Sequence, residues 1–102
     1  MPLRVISRKA LTDFARNHRD ATAPLKAWFK ATTKGSFRNL TELKRTFGSV
    51  DYVPVAKKAF YVFNIGGNKY RLIAVIHYNR RKVFVLAVLT HAEYTRGDWK
   101  NL

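Results

Sequence analysis

Phe60-Tyr61-Val62-Phe63-Asn64-Ile65-Gly66-Gly67-Asn68-Lys69-Tyr70-Arg71-Leu72-Ile73-Ala74-Val75-Ile76-His77-Tyr78 is the stretch that decides the fold. Phe60 to Ile65 and Tyr70 to Tyr78 are rich in Val, Ile, Tyr and Phe, whose branched or flat side chains suit a pleated, half-buried surface. Gly66-Gly67-Asn68 between them offers the residue types that enter left-handed turns, so the two runs predict an antiparallel hairpin. Val83 to Thr90 is a third run of the same kind, joined through Asn79-Arg80-Arg81, and the three together predict a meander. Alternation puts Arg71 on one face with Ile73, Val75 and His77, and Tyr70, Leu72, Ala74 and Ile76 on the other. Both faces are partly apolar. Pro54 removes a ladder donor within Tyr52 to Ala56, which sends that run to a sheet edge or breaks it.

Upstream of Val50 the apolar period changes from 2 to near 3.6. Leu3 to Ile6 reads as a short strand, ended by Ser7 as the N-cap of a helix that carries Leu11, Phe14 and Ala15 on one side. After a polar, turn-like Asn17 to Thr22, the stripe Leu25, Trp28, Phe29, Thr32 predicts a second helix with Pro24 in its first turn. Lys26, Lys30 and Lys34 recur on its other face at a spacing that repels, so they are either a solvated face or a contact for an anion. Gly35-Ser36 breaks this helix. Asn39 with Glu42 suggests a capping box for a short third helix with Leu40, Leu43 and Phe47 inward, ended by Gly48. Helices first and strands last predict an α+β fold, a twisted antiparallel sheet with two to three N-terminal helices packed on one face. The other face is expected to be free for a ligand.

A chain of 102 residues, 47% hydrophobic and 14% aromatic, can bury one core and is expected to form a single domain over residues 1–102. Twenty Lys and Arg against six Asp and Glu leave a formal net charge of +14, which calls for a polyanionic partner without naming it. No apolar run approaches the roughly 20 residues that span a bilayer, and Met1 to Arg8 lacks the apolar segment of a signal peptide. The expected address is cytoplasmic, with no membrane partner. The absence of cysteine agrees with a reducing compartment and removes disulfide and thiolate chemistry.

Several chemistries find no footing. Gly66-Gly67 leads into a strand and not a helix, which removes a phosphate-loop reading. His18, His77 and His91 lack the short spacings of a metal site, so no metal and no cofactor are expected. No two of the six carboxylates pair as a shared acid and base. What remains is metal-independent cleavage of RNA, which brings its own 2′-hydroxyl nucleophile. It asks the protein for a base, an acid and a cation on the phosphate. Arg71 on the middle strand, with His91 and Tyr94 at the end of the last, supplies those types. Each has a plainer role: Arg71 as the partner of Glu93 or Asp98, His91 in a strand-end hydrogen bond, Tyr94 lying over the sheet edge. His77 is a reserve candidate, more simply a satisfied sheet histidine.

Val62-Phe63-Asn64-Ile65-Gly66-Gly67-Asn68-Lys69-Tyr70-Arg71-Leu72, followed by Thr90-His91-Ala92-Glu93-Tyr94, resembles the HigB family of type II toxins. Arg4 to Leu11 and the helical Phe37 to Phe47 stretch resemble the family in place and order. The resemblance implies a RelE-like fold, ribosome-dependent cleavage of messenger RNA by an mRNA interferase, and a HigA-type antitoxin partner with a helix-turn-helix domain. Carried onto this sequence, it implies that Arg71 stabilises the phosphorane and that His91 and Tyr94 share acid and base duties in either order. Lys57, Lys58, Asn68 and Lys69 would hold the RNA. The alternative is a non-catalytic basic RNA- or ribosome-binding module that stacks bases on the sheet face.

Overall fold

The computed structural model describes residues 2–102. The strands are β1 (Arg4–Ile6), β2 (Asp51–Val55), β3 (Lys58–Ile65), β4 (Tyr70–His77) and β5 (Lys82–Thr90). The helices are α1 (Arg8–Asn17), α2 (Thr22–Lys34), α3 (Leu40–Thr46) and α4 (His91–Arg96), with short 3-10 turns at Arg19–Ala21, Tyr78–Arg80 and Asp98–Asn101. The sheet order is β1-β5-β4-β3-β2. The expected meander is there, as β3, β4 and β5 pair antiparallel in sequence order, and Pro54 lies in the edge strand β2. β1 departs from an all-antiparallel sheet by pairing parallel with β5, Arg4 opposite Lys82 and Ile6 opposite Phe84. A three-residue run carries no signal of direction. The crossing of the helical segment before the sheet decides it.

Local details differ from the expected caps for identifiable reasons. Ser7 has φ 70 and makes no side-chain cap bond, because in that left-handed conformation its hydroxyl does not meet the first-turn N–H groups. At α3, Asn39 accepts from the Glu42 N–H at 2.9 Å, but the Glu42 carboxylate accepts from the backbone and guanidinium of Arg38. The box is therefore half built. Asn17 to Thr22 tightens into a 3-10 turn, and Gly66 and Gly67 take φ of 63 and 70 in the β3–β4 turn.

One hydrophobic cluster sits between the helices and the sheet: Leu11, Leu25, Trp28 and Leu43 meet Phe63, Leu72, Ala74 and Ile76. Trp28 and Phe47 each set a ring edge-on to Phe63. The opposite sheet face is not free as expected. Phe60, Val62 and Ile73 there are covered by Trp99, which is 5% exposed and stands edge-on to Phe60. The C-terminal segment was unreadable as a layer, since one tryptophan after a glycine has no periodicity.

A bulge opposite Ile73/Ala74 reorients the end of β5. Val83 and Val85 face the helices; strict alternation would send Leu89 there too, but the extra residue places Val88 on that side and Leu86 and Leu89 in the second cluster. Leu89 thereby lies across from Arg71. The chain then enters α4 on the face that Arg71 occupies. Because Trp99 closes the second cluster, Trp99→Ala should cost about 3 kcal/mol in urea unfolding. A loss below about 1 kcal/mol would show that this segment is an appendage and not part of the core.

Candidate active site around Arg71

Arg71, the second residue of β4, is only 9% exposed, the one buried charged side chain among the described residues. A guanidinium taken out of water must find acceptors or a counter-charge. Its Nη1 donates to the Asn68 carbonyl at 3.1 Å and the Tyr70 carbonyl at 3.2 Å, and its Nη2 to Asn68 Oδ1 at 3.3 Å. The Arg71 Cζ also lies 5.1 Å from the centroid of the Tyr94 ring, a cation–π contact. No carboxylate joins it. The ion pairs among the described residues are Arg16–Asp13, Arg38–Glu42, Lys69–Asp20 and Arg96–Asp98, so the plainer role in a pair with Glu93 or Asp98 is not adopted. Three of its five N–H donors are engaged, which leaves the Nε–H and one Nη2–H able to fork onto an anion.

His91 and Tyr94 stand on α4, not at the end of a strand as expected. Thr90 and Glu93 form a capping box: the Thr90 hydroxyl accepts from the Glu93 N–H, and the Glu93 carboxylate accepts from the Thr90 N–H at 2.9 Å. The Thr90 N–H and hydroxyl hold the Glu93 carboxyl below its ordinary range. Gly97 ends the helix at φ 82. Spaced three apart, His91 and Tyr94 share a side of this helix. His91 is exposed, with Nδ1 3.4 Å from the Thr95 hydroxyl. The Tyr94 ring stacks on Trp99 at 5.4 Å, and the Trp99 indole donates to the Tyr94 carbonyl. The aromatic layer thus fixes the ring that contacts Arg71.

The remaining candidates separate into three places. Asn68 is a ligand of the guanidinium itself. Lys69 is turned to the helical layer, with Nζ 2.8 Å from Asp20 Oδ2. Lys58 starts β3, six residues or roughly 20 Å from the Asn64 that pairs with Arg71, and Lys57 precedes it in the β2–β3 turn. There they line, with Phe60 and Lys100, a hollow of about 300 Å³, and Lys58 Nζ donates to the Leu102 carbonyl at 2.6 Å. His77 is exposed six residues from Arg71 along β4, edge-on to Phe84, and stands apart from this site. Two residues escaped the sequence reading. Asn64 shares Arg71's face by register, which alternation on β3 could have shown; Lys100 came to the hollow through the fold of the C-terminal turn, for which no sequence signal existed.

A five-stranded sheet with its three N-terminal helices on one face, and on the other an arginine under a C-terminal aromatic layer, is compatible with the RelE-like class of small toxins. The family model described as HigB_toxin, RelE-like toxic component of a toxin-antitoxin system, matches residues 21–97. The chain is 35% identical over 92 residues to the mRNA interferase toxin HigB of Escherichia coli K12, covering 90% of this chain and 88% of that one. The mRNA interferase HigB of Shigella flexneri is similar to the same degree. That of Escherichia coli O6:H1 is 27% identical over 92% of this chain and 90% of its own. This chain belongs to the HigB toxin family. No helix among the described residues is long and apolar enough to cross a membrane.

The capping box has a checkable pH signature. A carboxyl lowered in the folded state adds stability above its unfolded value and loses it as pH falls through the folded one. Wild type should therefore exceed Glu93→Gln in stability at neutral pH, and the gap should close in acid. Thr90→Ala should cost about 1 kcal/mol. A gap independent of pH in chemical unfolding would mean that the Glu93 charge has no role in starting α4.

Proposed function

We propose that this toxin is an endoribonuclease that cleaves messenger RNA on the ribosome through the substrate's own 2′-hydroxyl, without a metal. The carrying observation is the buried Arg71 guanidinium with no carboxylate and two N–H donors unused, against Tyr94 on the helix that also bears His91. The relatives are mRNA interferases by name, which supports the substrate. In the proposed reaction the chain's own side chains, Arg71, His91 and Tyr94, carry the steps; among the described residues no group of three or more His, Asp or Glu is arranged to hold a metal ion.

In the reaction a base removes the 2′-hydroxyl proton, the O2′–P bond forms, the P–O5′ bond breaks, and an acid protonates the departing 5′-oxygen. A 2′,3′-cyclic phosphate and a 5′-hydroxyl result. Arg71 donates to the phosphorane oxygens, whose charge grows in the transition state, and donors fixed beforehand need no reorganisation. His91 and Tyr94 divide the proton transfers. Lys57 and Lys58 take phosphates at a distance from the cut, while Asn68 acts through Arg71. Lys69 contributes charge from the helical side. The partner is an antitoxin of the HigA type carrying a helix-turn-helix domain, and the site of action is the cytoplasm.

Induction in cells with primer-extension mapping of an abundant transcript tests this. New 5′ ends confined to translated regions are expected with wild type and absent with the Arg71→Ala, His91→Ala double variant. Arg71→Ala alone should lower the cleavage rate by about 10²–10³. A 2′-deoxy substitution at the cut site should abolish cleavage; cutting that persists would eliminate the 2′-hydroxyl mechanism. Intact transcripts in the presence of folded wild type would leave a basic RNA-binding module as the better description.

A further inference from the structure

Asp20 lies in the 3-10 turn between α1 and α2, 49 residues before Lys69. Its two carboxylate oxygens take separate partners on the β3–β4 hairpin. Oδ2 accepts from Lys69 Nζ at 2.8 Å, and Oδ1 accepts from the Tyr70 hydroxyl at 2.6 Å. Lys69 and Tyr70 are the two residues between Asn68 and Arg71, and those neighbours are the guanidinium's own acceptors and donor. The Tyr70 carbonyl is also one of those acceptors. Asp20 thus grips the side chains of the link whose backbone holds Arg71. We propose that Asp20 is a positioning residue which, through Lys69 and Tyr70, fixes the Asn68–Arg71 backbone so that the guanidinium is held with its free donors aimed at the phosphate.

The hairpin needs such a fastening. Gly66 and Gly67 both sit at positive φ; a Cβ on Gly67 would meet nothing within 4 Å and one on Gly66 only Pro24 Cγ at 3.6 Å and Lys69 Cβ at 4.0 Å, so the tip has little packing to hold it. The Lys69 N–H to Gly66 carbonyl bond closing the turn is long, at 3.4 Å. Phe14 and His18 of the same helical segment contribute by standing edge-on to Tyr70, at 5.1 and 5.5 Å. The clamp also reaches α4, because Tyr70 pairs with Thr90, the residue that caps it. Lys69 and Tyr70 hold the Asp20 carboxyl below its ordinary range, so at neutral pH it is the charged acceptor that both bonds require. This assigns Lys69 to the architecture of the site before its contact with RNA.

The functional consequence rests on the nuclease reading, so the test has one readout that does not. In ¹⁵N NMR the Arg71 side chain, identified by its loss in Arg71→Lys, should give restricted, slowly exchanging guanidinium signals in wild type. Asp20→Ala should average them and speed their exchange while the fold's other amide signals stay dispersed. Tyr70→Phe and Lys69→Met, which each remove one bond, should have intermediate effects and serve if Asp20→Ala does not fold; Asp20→Glu should restore part of the restriction. In single-turnover cleavage, Asp20→Ala should lower the rate at saturating RNA by roughly tenfold. Affinity for a 2′-deoxy-blocked RNA should change by less than about threefold. Added to Arg71→Ala, it should lower the residual rate little further, since both act through one group. Unchanged Arg71 signals in folded Asp20→Ala, Tyr70→Phe and Lys69→Met would overturn the proposal, as would full additivity with Arg71→Ala. Absence of wild-type cleavage together with released Arg71 signals would sink the nuclease reading and leave the positioning role standing.

Discussion

β4 has water on neither face along most of its length: Leu72, Ile73 and Ala74 are fully buried. A strand in that position must be covered twice, and the rest of the molecule can be read as the means of doing so. The helices cover the side bearing Leu72 and Ala74, while α4 and Trp99 cover Ile73 and Val75. Arg71 is the first residue of β4 that points to the second side, so it inherits the burial of the apolar residues that follow it. Its low exposure is a consequence of strand geometry before it is a device of the site.

Burial alone would make Arg71 a liability, and the distribution of the six carboxylates explains why it remains charged without a counter-ion. Asp13, Asp20, Glu42 and Asp98 pair with other cations, Glu93 is absorbed by the cap of α4, and Asp51 is exposed on the edge strand. The guanidinium is solvated by two carbonyls, an amide oxygen and the Tyr94 ring instead. Neutral dipoles lower the cost of desolvation but leave the net charge uncancelled. An arriving phosphate therefore meets a positive charge that it need not win from a carboxylate.

The three meander strands and their order were legible because they obey a period of 2 interrupted only by residues with a known turn preference. The face shared by Arg71, Ile73 and Val75 followed from the same rule. The fate of the other sheet face was not legible. Its cover depends on a bulge of one residue in β5 and on a single tryptophan after Gly97, neither of which alters hydrophobic periodicity. The Thr90–Glu93 spacing was the one local sign that a helix begins there, and it was read as part of a motif instead of as a cap. Only the family resemblance gives Lys69 a role toward RNA; its bond to Asp20 spans 49 residues and no sequence pattern links the two.

The same separation bears on how a long polyanion could lie on the molecule. Arg71 and the Lys57, Lys58, Lys100 hollow sit at opposite ends of β3, and the strip between them on this face is occupied by Phe60, Val62, Ile73 and Trp99. That strip is apolar and closed, so it offers no phosphate contact and its rings are already packed against one another. A strand engaging both ends must therefore pass over the outer surface of the C-terminal segment, where Lys100 lies with its ammonium 5.7 Å from the Trp99 ring. The aromatic layer that buries the arginine then also sets the separation between the proposed site of cutting and the proposed site of grip. Contacts at the lysine end would act chiefly on affinity, whose salt dependence counts phosphates, while those at Arg71 would act on the rate.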